Sequence, residues 1–230
     1  MGRFLYRLLI ITLLLGLIGA GVYAWGYAQY VKPGPSPAES TVIIPRGRGV
    51  EGIANALERA GIIRDARIFR LGVRLGRTDT SLKAGEFVFP AKVSPKDAAA
   101  ILSKGKTVVR RLTVAEGLTT VQVLGQLLAT EGLVGDLRRS YGEGDLLPET
   151  YHFSHGDRRS DIAERMAAAM SSMISDLWAG RAPGLPLETP REALVLASIV
   201  EKETALAAER PRIAGVFITR LQRGMRLQSD

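Results

Sequence analysis

Cysteine is absent from the 230 residues of this chain, histidine occurs only twice, and aromatic residues make up 6% of the sequence. The lack of cysteine excludes a disulfide scaffold, a thiol nucleophile and any cysteine-based zinc or iron–sulfur site. The formal charge of +8 is spread along the chain rather than concentrated in one stripe, so we expect no nucleic-acid partner. A hydrophobic content of 46% argues against general disorder, and the length allows one ordinary domain or two small ones.

The longest uncharged stretch lies near the N-terminus, at positions 8–31. A helix of about 20 apolar residues crosses the roughly 30 Å hydrocarbon core of a bilayer, so residues 1–31 predict a short tail and a transmembrane helix. Arg3 and Arg7 precede the stretch, and by the positive-inside tendency the N-terminus stays cytoplasmic. Aromatic residues that favour the membrane–water interface cluster at its far end: Tyr23, Trp25, Tyr27 and Tyr30. The alternative, a cleaved signal peptide, is disfavoured because the apolar run exceeds the usual core of about 7 to 15 residues.

A strand, a glycine turn and a helix are predicted twice beyond the membrane segment. Residues 32–40 are rich in proline and glycine and predict a linker. The repeated pattern then occupies residues 41–63 and 111–134, with Gly47 and Gly117 at equivalent places. Between the two copies, residues 84–109 predict a strand, a short helix and a further strand. The repeated unit resembles a small carbohydrate-binding module of LysM type, which we expect over residues 41–110.

Weaker periodicity marks the middle of the chain, where residues 135–160 predict a loop with a short strand. His152 and His155 stand near Asp157, but their spacing matches no closed set of metal ligands. We therefore expect a surface turn there, with no metal and no cofactor. The following residues, 161–180, predict a helix with a methionine-containing core face.

The last long helix is predicted for residues 190–208, with Thr189 as its N-cap and Glu192 completing a capping box. Its first half is apolar on every side, which is typical of a buried helix. Glu201 and Glu203 follow at its end, and carboxylates are costly to bury unless they are paired or protonated. Helical periodicity does not decide which of the two is more buried. The alternative is an ordinary helix end that emerges into water.

Four motifs together resemble one family. They read VAEGLT at 114–119, LLPETYHF at 146–153, LASIVEKET at 196–204 and GMRLQSD at 224–230. With the N-terminal apolar segment, they resemble the signature of the YceG-like endolytic murein transglycosylases over essentially the whole chain. The last two motifs are long enough to argue against chance.

The resemblance implies cleavage of the β-1,4 bond between N-acetylmuramic acid and N-acetylglucosamine inside peptidoglycan glycan strands, leaving 1,6-anhydro ends. It places the catalytic glutamate on Glu201, first as general acid and then as base toward the muramyl 6-hydroxyl. One carboxylate suffices because the nucleophile belongs to the substrate, unlike the two-carboxylate glycosidases. Glu203, Gln228 and Asp230 are expected to contact the sugar or support the site, although Glu203 would equally suit a pairing with Arg210 or Arg212.

The resemblance also implies an α+β fold, with residues 111–230 forming a transglycosylase catalytic domain after the LysM-like module. In the family the GMRLQSD motif is followed by a further region, so we expect this chain to be C-terminally truncated and its catalytic domain partial. The implied location is the bacterial inner (plasma) membrane, single-pass, with the catalytic part in the periplasm.

Peptidoglycan glycan strands are the implied substrate and partner, alongside the inner membrane, cell-wall synthases and division proteins. The implied role is to end glycan elongation. A non-enzymatic, membrane-anchored peptidoglycan-binding scaffold is the alternative function, and it has no use for Glu201. A metal hydrolase around His152 and His155 is a weaker third possibility.

Overall fold

The computed structural model describes residues 2–78 and 80–227, which divide into two compact units. Met1–Val109 with Ser154–Gly156 form the first unit, and Arg110–Phe153 with Asp157–Asp230 form the second. Each unit contains helices and a strand pair, which confirms the predicted α+β class. The two units are described separately below.

The first unit begins with helix α1, Gly2–Val31. Its segment Tyr6–Val31 is long and apolar enough to cross a membrane, so it is compatible with the predicted single-pass anchor. The rings of Tyr23 and Tyr27 stack with their centroids 6.4 Å apart. These aromatic side chains therefore lie on one side of the C-terminal part of α1.

A two-stranded antiparallel sheet organises the rest of the first unit. Strand β1 (Ser40–Ile44) pairs with β2 (Gly85–Phe89), and Val42 lies opposite Phe87. Helices α2 (Gly49–Arg59) and α3 (Ala66–Leu75) connect the strands, and α4 (Pro95–Lys104) follows β2. One core joins these elements, and its largest fully buried side chains are Phe69, Phe87, Phe89, Ile44, Leu57, Ile62, Ile63 and Leu102.

The proline-rich segment after α1 is held against the first unit rather than free. The N–H of Gly34 lies 3.1 Å from the carbonyl oxygens of both Lys92 and Val93. The carbonyl of Ser36 accepts a hydrogen bond from the N–H of Lys92 at 2.8 Å. A Cβ at Gly34 would overlap a neighbouring carbonyl oxygen, so glycine permits this close approach. These bonds tie the end of α1 to the body that follows.

The second unit contains two strands and four helices among its described residues. Strands β3 (Val109–Thr113) and β4 (Thr150–Ser154) pair with each other. Helix α5 (Thr120–Ala129) lies between them in sequence, and α6 (Arg159–Ala179) follows β4. Their shared core contains Leu112, Val114, Val123, Leu127, Leu133, Leu146, Tyr151, Phe153, Ile162, Ala163 and Met166.

The predicted repeat of strand, glycine turn and helix is confirmed in both units. Gly47 between β1 and α2 has φ +78°, and Gly117 between β3 and α5 has φ +74°. Residues with a side chain rarely adopt this left-handed backbone, which explains glycine at both places. The predicted methionine face of α6 is confirmed in its first half, where Met166 and Met170 are buried, whereas Met173 is exposed.

Helix α7 (Pro190–Glu203) is shorter than the helix predicted for residues 190–208, and a further helix, α8 (Arg210–Gln222), follows it. The prediction that the helix continues to position 208 is wrong because Thr204 is extended, with φ −148°. Its hydroxyl accepts the N–H of Leu206 at 3.0 Å and donates to a carboxylate oxygen of Glu209 at 2.9 Å. These bonds stabilise a turn between the two helices.

Burial on every side of α7 is also a wrong prediction. Leu196 and Val200 pack with Phe217 of α8 in a small apolar cluster, whereas Val195 is 47% exposed. The other apolar face is open because it lines the cleft described below. Thr189 caps the helix as predicted, but the Glu192 carboxylate accepts the N–H of Glu188 instead of closing the capping box.

Candidate active site

An open cleft of about 630 Å³ lies within the second unit. Three segments form most of its walls, namely the turn before α5, the loop that precedes β4 and one face of α7, and Met170 of α6 adds to the lining. These segments overlap the VAEGLT, LLPETYHF and LASIVEKET motifs. The lining residues include Gly117, Leu118, Thr119, Glu143, Leu146, Pro148, Arg191, Leu194, Ser198, Glu201 and Lys202.

Glu201 lies in the last turn of α7 and faces this cleft. Leu194 and Ser198 line the cleft from earlier turns of the same helix, as helical spacing predicts. The Glu201 side chain is 31% exposed, whereas Glu203 is an exposed residue. The structure therefore decides what periodicity left open: Glu201 is the more buried of the two carboxylates.

Arg210, at the start of α8, pairs with Glu201. Its Nη2 atom lies 3.0 Å from each of the two carboxylate oxygens. The Nε atom of Arg210 is buried and has no hydrogen-bond partner among the described residues. The predicted alternative was a pairing of Glu203 with Arg210 or Arg212, and Arg210 instead pairs with Glu201. The pair holds the Glu201 carboxylate in one orientation at the edge of the cleft.

The cleft walls are fixed by hydrogen bonds around the start of α5. Thr119 and Gln122 form a reciprocal capping box at the first turn of this helix. The Glu143 carboxylate accepts the N–H of Thr120 at 3.0 Å, and the carbonyl of Glu143 accepts a bond from Arg191 Nη1 at 2.6 Å. Arg191 thus joins α7 to the loop on the opposite wall.

Two cationic side chains of the cleft were missed by the sequence analysis. Lys202 Nζ lies 3.5 Å from the position that a Cβ would take at Gly117, and Arg191 lines the same cleft. The sequence contains a pattern that could have identified both. Along α7, helical spacing of three and four residues places on one face the residues Arg191, Leu194, Ser198 and Lys202. Such a stripe identifies one helix face, although not what that face borders.

Tyr151 of the LLPETYHF motif supports the wall before β4 from the core side. Its hydroxyl donates a hydrogen bond to the carbonyl of Leu147 at 2.8 Å. Burial is the main cause that raises the pKa of Tyr151 above its ordinary value of 10.0; nearby Glu149 acts in the same direction, and Arg165 opposes them. Tyr151 is therefore a structural support with its proton in place at neutral pH.

The remaining predicted site residues are placed as follows. Gln228 and Asp230 lie outside the described residues, while Leu227, just before them, packs on the small cluster of α7 and α8. His152 is exposed on β4. Within residues 2–78 and 80–227, no group of three or more histidine, cysteine, aspartate or glutamate side chains is arranged to hold a metal ion.

Known proteins resemble this chain over most of its length. The sequence profile of the YceG-like family matches residues 42–230. The endolytic murein transglycosylase of Streptococcus pneumoniae serotype 2 (strain D39) is 31% identical, over 94% of this chain and 47% of that protein. The protein of the same name from Bacillus subtilis (strain 168) is 24% identical, over 93% of this chain and 68% of that protein.

The chain spans about half the length of the two Streptococcus relatives that it matches. A crystal structure of a YceG-like protein from Listeria monocytogenes is 26% identical and covers 85% of this chain and 74% of that one. Its TM-score of 0.43 is too low to support a comparison of architecture. The family profile, in contrast, covers the whole cleft and both strand pairs except the first two residues of β1. By sequence, the chain belongs to the YceG-like family.

Proposed function

We propose that this chain carries the catalytic glutamate of an endolytic peptidoglycan transglycosylase. The observation that supports it most is the meeting of three motifs, distant in sequence, at one cleft. Gly117, Leu146 and Glu201 represent these motifs, and Glu201 is the glutamate that the resemblance makes catalytic. A cleft that gathers a carboxyl group, two cations and apolar walls has the parts of a substrate site. The names of the curated relatives point to the same reaction.

In the proposed reaction, Glu201 donates its proton to the glycosidic oxygen while the bond from that oxygen to C1 of N-acetylmuramic acid breaks. The same carboxylate then takes the proton of the muramyl 6-hydroxyl, whose oxygen forms the new bond to C1. No water is consumed, and the products are a 1,6-anhydro end and a free 4-hydroxyl on N-acetylglucosamine. Glu201 therefore serves as both acid and base within one turnover.

Other residues are proposed to hold the glycan. Lys202 and Arg191 border the cleft and offer donors to sugar hydroxyl and carbonyl oxygens. Glu203 is proposed to contact the sugar from the exposed end of α7, and Gln228 and Asp230 complete the proposed set.

The first unit is proposed to contribute a glycan-binding module of LysM type. Its β1–α2–α3–β2 order, with the strands paired and the helices packed on one core, supports this assignment. We further propose a single-pass location in the bacterial inner membrane, with the N-terminus cytoplasmic and the cleft periplasmic. Arg7 at the start of the apolar segment supports that orientation. Cell-wall synthases and division proteins are the proposed partners, and ending glycan elongation is the proposed role.

The test is mass spectrometry of purified glycan strands after incubation in detergent with the chain and with a version extended by the region expected to follow the GMRLQSD motif. We expect 1,6-anhydro ends with the extended version, and their loss when Glu201→Gln is introduced into it. Glu131→Gln is the matched control, because Glu131 is an exposed carboxylate of the same unit that does not line the cleft. Circular dichroism checks that both variants fold.

Anhydro ends that persist in Glu201→Gln would refute the catalytic role of this residue. Reducing ends in place of anhydro ends would refute the intramolecular reaction. Glycan that is bound by both forms but cleaved by neither would favour the binding scaffold instead.

A further inference from the structure

Helix α3 is apolar on two opposite faces. At 3.6 residues per turn, or about 100° per residue, Ala66, Phe69 and Val73 share one face, and all three are buried in the core of the first unit. Ile68, Leu71 and Leu75 fall on the opposite side, where Leu71 is 53% and Leu75 is 63% exposed. A helix on the surface of a soluble domain needs only one apolar face. The second face therefore points to a second apolar environment.

The second face of α3 borders a groove of about 620 Å³ that it forms with α1 and α4. From α1, the lining runs from Gly19 to Tyr30 and includes Tyr23 and Tyr27. Tyr30 lies against Gly72 of α3, where an added Cβ would overlap its ring. Glycine thus lets the two helices approach closely, and the groove is continuous with the apolar surface of α1.

The length of α1 places this groove at the membrane surface. Tyr6–Val31 contains 26 residues. At 1.5 Å per residue such a helix is about 39 Å long, against a hydrocarbon core of about 30 Å. The last turns of α1 therefore reach the headgroup layer, where tyrosine side chains are favoured. The groove, lined from Gly19 to Tyr30, extends from the acyl region into that layer.

Positive charges border the groove. Lys96 and Lys104, near the two ends of α4, line it directly. Lys32 and Arg64 line an adjoining small cavity that shares Ile68 with the groove. Apolar walls with cations at the rim match the acyl chain and the phosphate of an anionic phospholipid.

The carboxylates beside these cations are already engaged. Asp65 caps α3 by accepting the N–H of Arg67 at 2.6 Å. Asp97 accepts the hydroxyl of Ser94 at 2.7 Å. Both carboxylates keep their charge, and Asp65 lines the same small cavity as Lys32 and Arg64, but the four cations outnumber these two carboxylates.

We infer that the groove between α1, α3 and α4 binds anionic phospholipid of the membrane that α1 spans, and that the first unit lies on the bilayer surface. The inference rests on the proposed membrane anchor and is independent of glycan cleavage. The hydrogen bonds of Gly34 and Ser36 fit this arrangement, because they fasten the end of α1 to the first unit.

The absence of cysteine allows a direct test, since any single introduced cysteine is a unique labelling site. The full chain is placed in nanodiscs of phosphatidylcholine with or without phosphatidylglycerol, and an environment-sensitive fluorophore is attached at Leu75→Cys. Ile43→Cys is the matched control, because Ile43 is a similarly apolar, 42% exposed residue of the same unit outside the groove. Leu14→Cys, inside the apolar segment, reports on the anchor itself.

We expect the emission at position 75 to shift to the blue and to be quenched by doxyl-labelled phospholipid, more strongly with phosphatidylglycerol than without it. The probe at position 43 should show neither effect. Replacing both Lys96 and Lys104 by glutamine should remove the preference for phosphatidylglycerol. Leu71→Cys repeats the measurement at a second position in case the first label disturbs the fold.

Each outcome of the quenching measurements supports or overturns a stated part of the inference. Quenching at position 14 without quenching at 71 and 75 would overturn the docking and leave the anchor intact. No quenching at position 14 would overturn the anchor, and the docking with it. Equal quenching with and without phosphatidylglycerol would overturn the anionic lipid as the ligand.

Discussion

Breaking the ion pair between Glu201 and Arg210 should lower the unfolding free energy of the second unit by about 1 kcal/mol. The Arg210 Nη2 atom lies 3.0 Å from both carboxylate oxygens, and the two side chains are 41% and 31% exposed. Exposed pairs contribute about 0.2 to 1 kcal/mol, whereas breaking a buried pair costs about 3 to 5 kcal/mol. Because water reaches both side chains, we use the upper end of the range for exposed pairs.

A double-mutant cycle with Glu201→Gln, Arg210→Gln and the double variant measures this contribution. The chain contains two tryptophans, and Trp178 in α6 reports on the second unit once Trp25 is replaced by phenylalanine. Urea unfolding followed by Trp178 fluorescence then measures the unfolding transition of the second unit separately from that of the first. We expect a coupling free energy of about 1 kcal/mol, with the double variant little less stable than either single one.

A coupling below about 0.3 kcal/mol would refute the reasoning, because independent sites add to within that amount. The pair of Arg139 and Glu164 in the same unit serves as a matched control. Its closest atoms are 3.2 Å apart, but its side chains are 54% and 45% exposed. Its coupling should therefore be smaller than that of Glu201 and Arg210.

Three further perturbations test the support of the cleft. Because burial raises the pKa of Tyr151 above 10.0, the folded state holds this proton more tightly, so stability should be unaffected below pH 10 and fall as the pH rises above it. Tyr151→Phe should show a smaller fall in thermal scans from pH 9 to 11. Gly117→Ala and Gly47→Ala should each cost about 1 to 2 kcal/mol through their positive φ, but only the first should reduce glycan cleavage. Leu127→Ala should cost about 2 to 5 kcal/mol by urea unfolding, because Leu127 is fully buried.

Local patterns in the sequence were sufficient to predict the strands and helices that have one apolar face. The strand, glycine turn and helix around Gly47 and Gly117 are readable because a turn residue and a single periodic stripe coincide. Helix α3 was not predicted, although it is amphipathic. Its arginines, Arg67, Arg70 and Arg74, share one side, and its apolar residues occupy the broad remaining arc.

The cleft was predictable only in part. The common face of Leu194, Ser198 and Glu201 follows from helical spacing, and the structure confirms it. The partner of Glu201 does not follow, because Arg210 reaches it only through the turn that Thr204 forms. That turn depends on contacts outside the helix, which periodicity does not contain.

Arg210 is placed to act on the charge that Glu201 gains in the proposed reaction. Glu201 gives up its proton when the glycosidic bond breaks, and Arg210 Nη2 lies 3.0 Å from both of its carboxyl oxygens. The carboxyl group becomes charged during the first step of the proposed reaction. The Arg210 guanidinium at the cleft edge therefore stabilises the charged carboxylate that forms, rather than the protonated group present before that step. Arg210→Gln should therefore slow cleavage while leaving glycan binding unchanged, and Arg210→Lys should restore part of the rate. If Arg210→Gln cleaved as fast as the unchanged chain, the pair would serve stability alone.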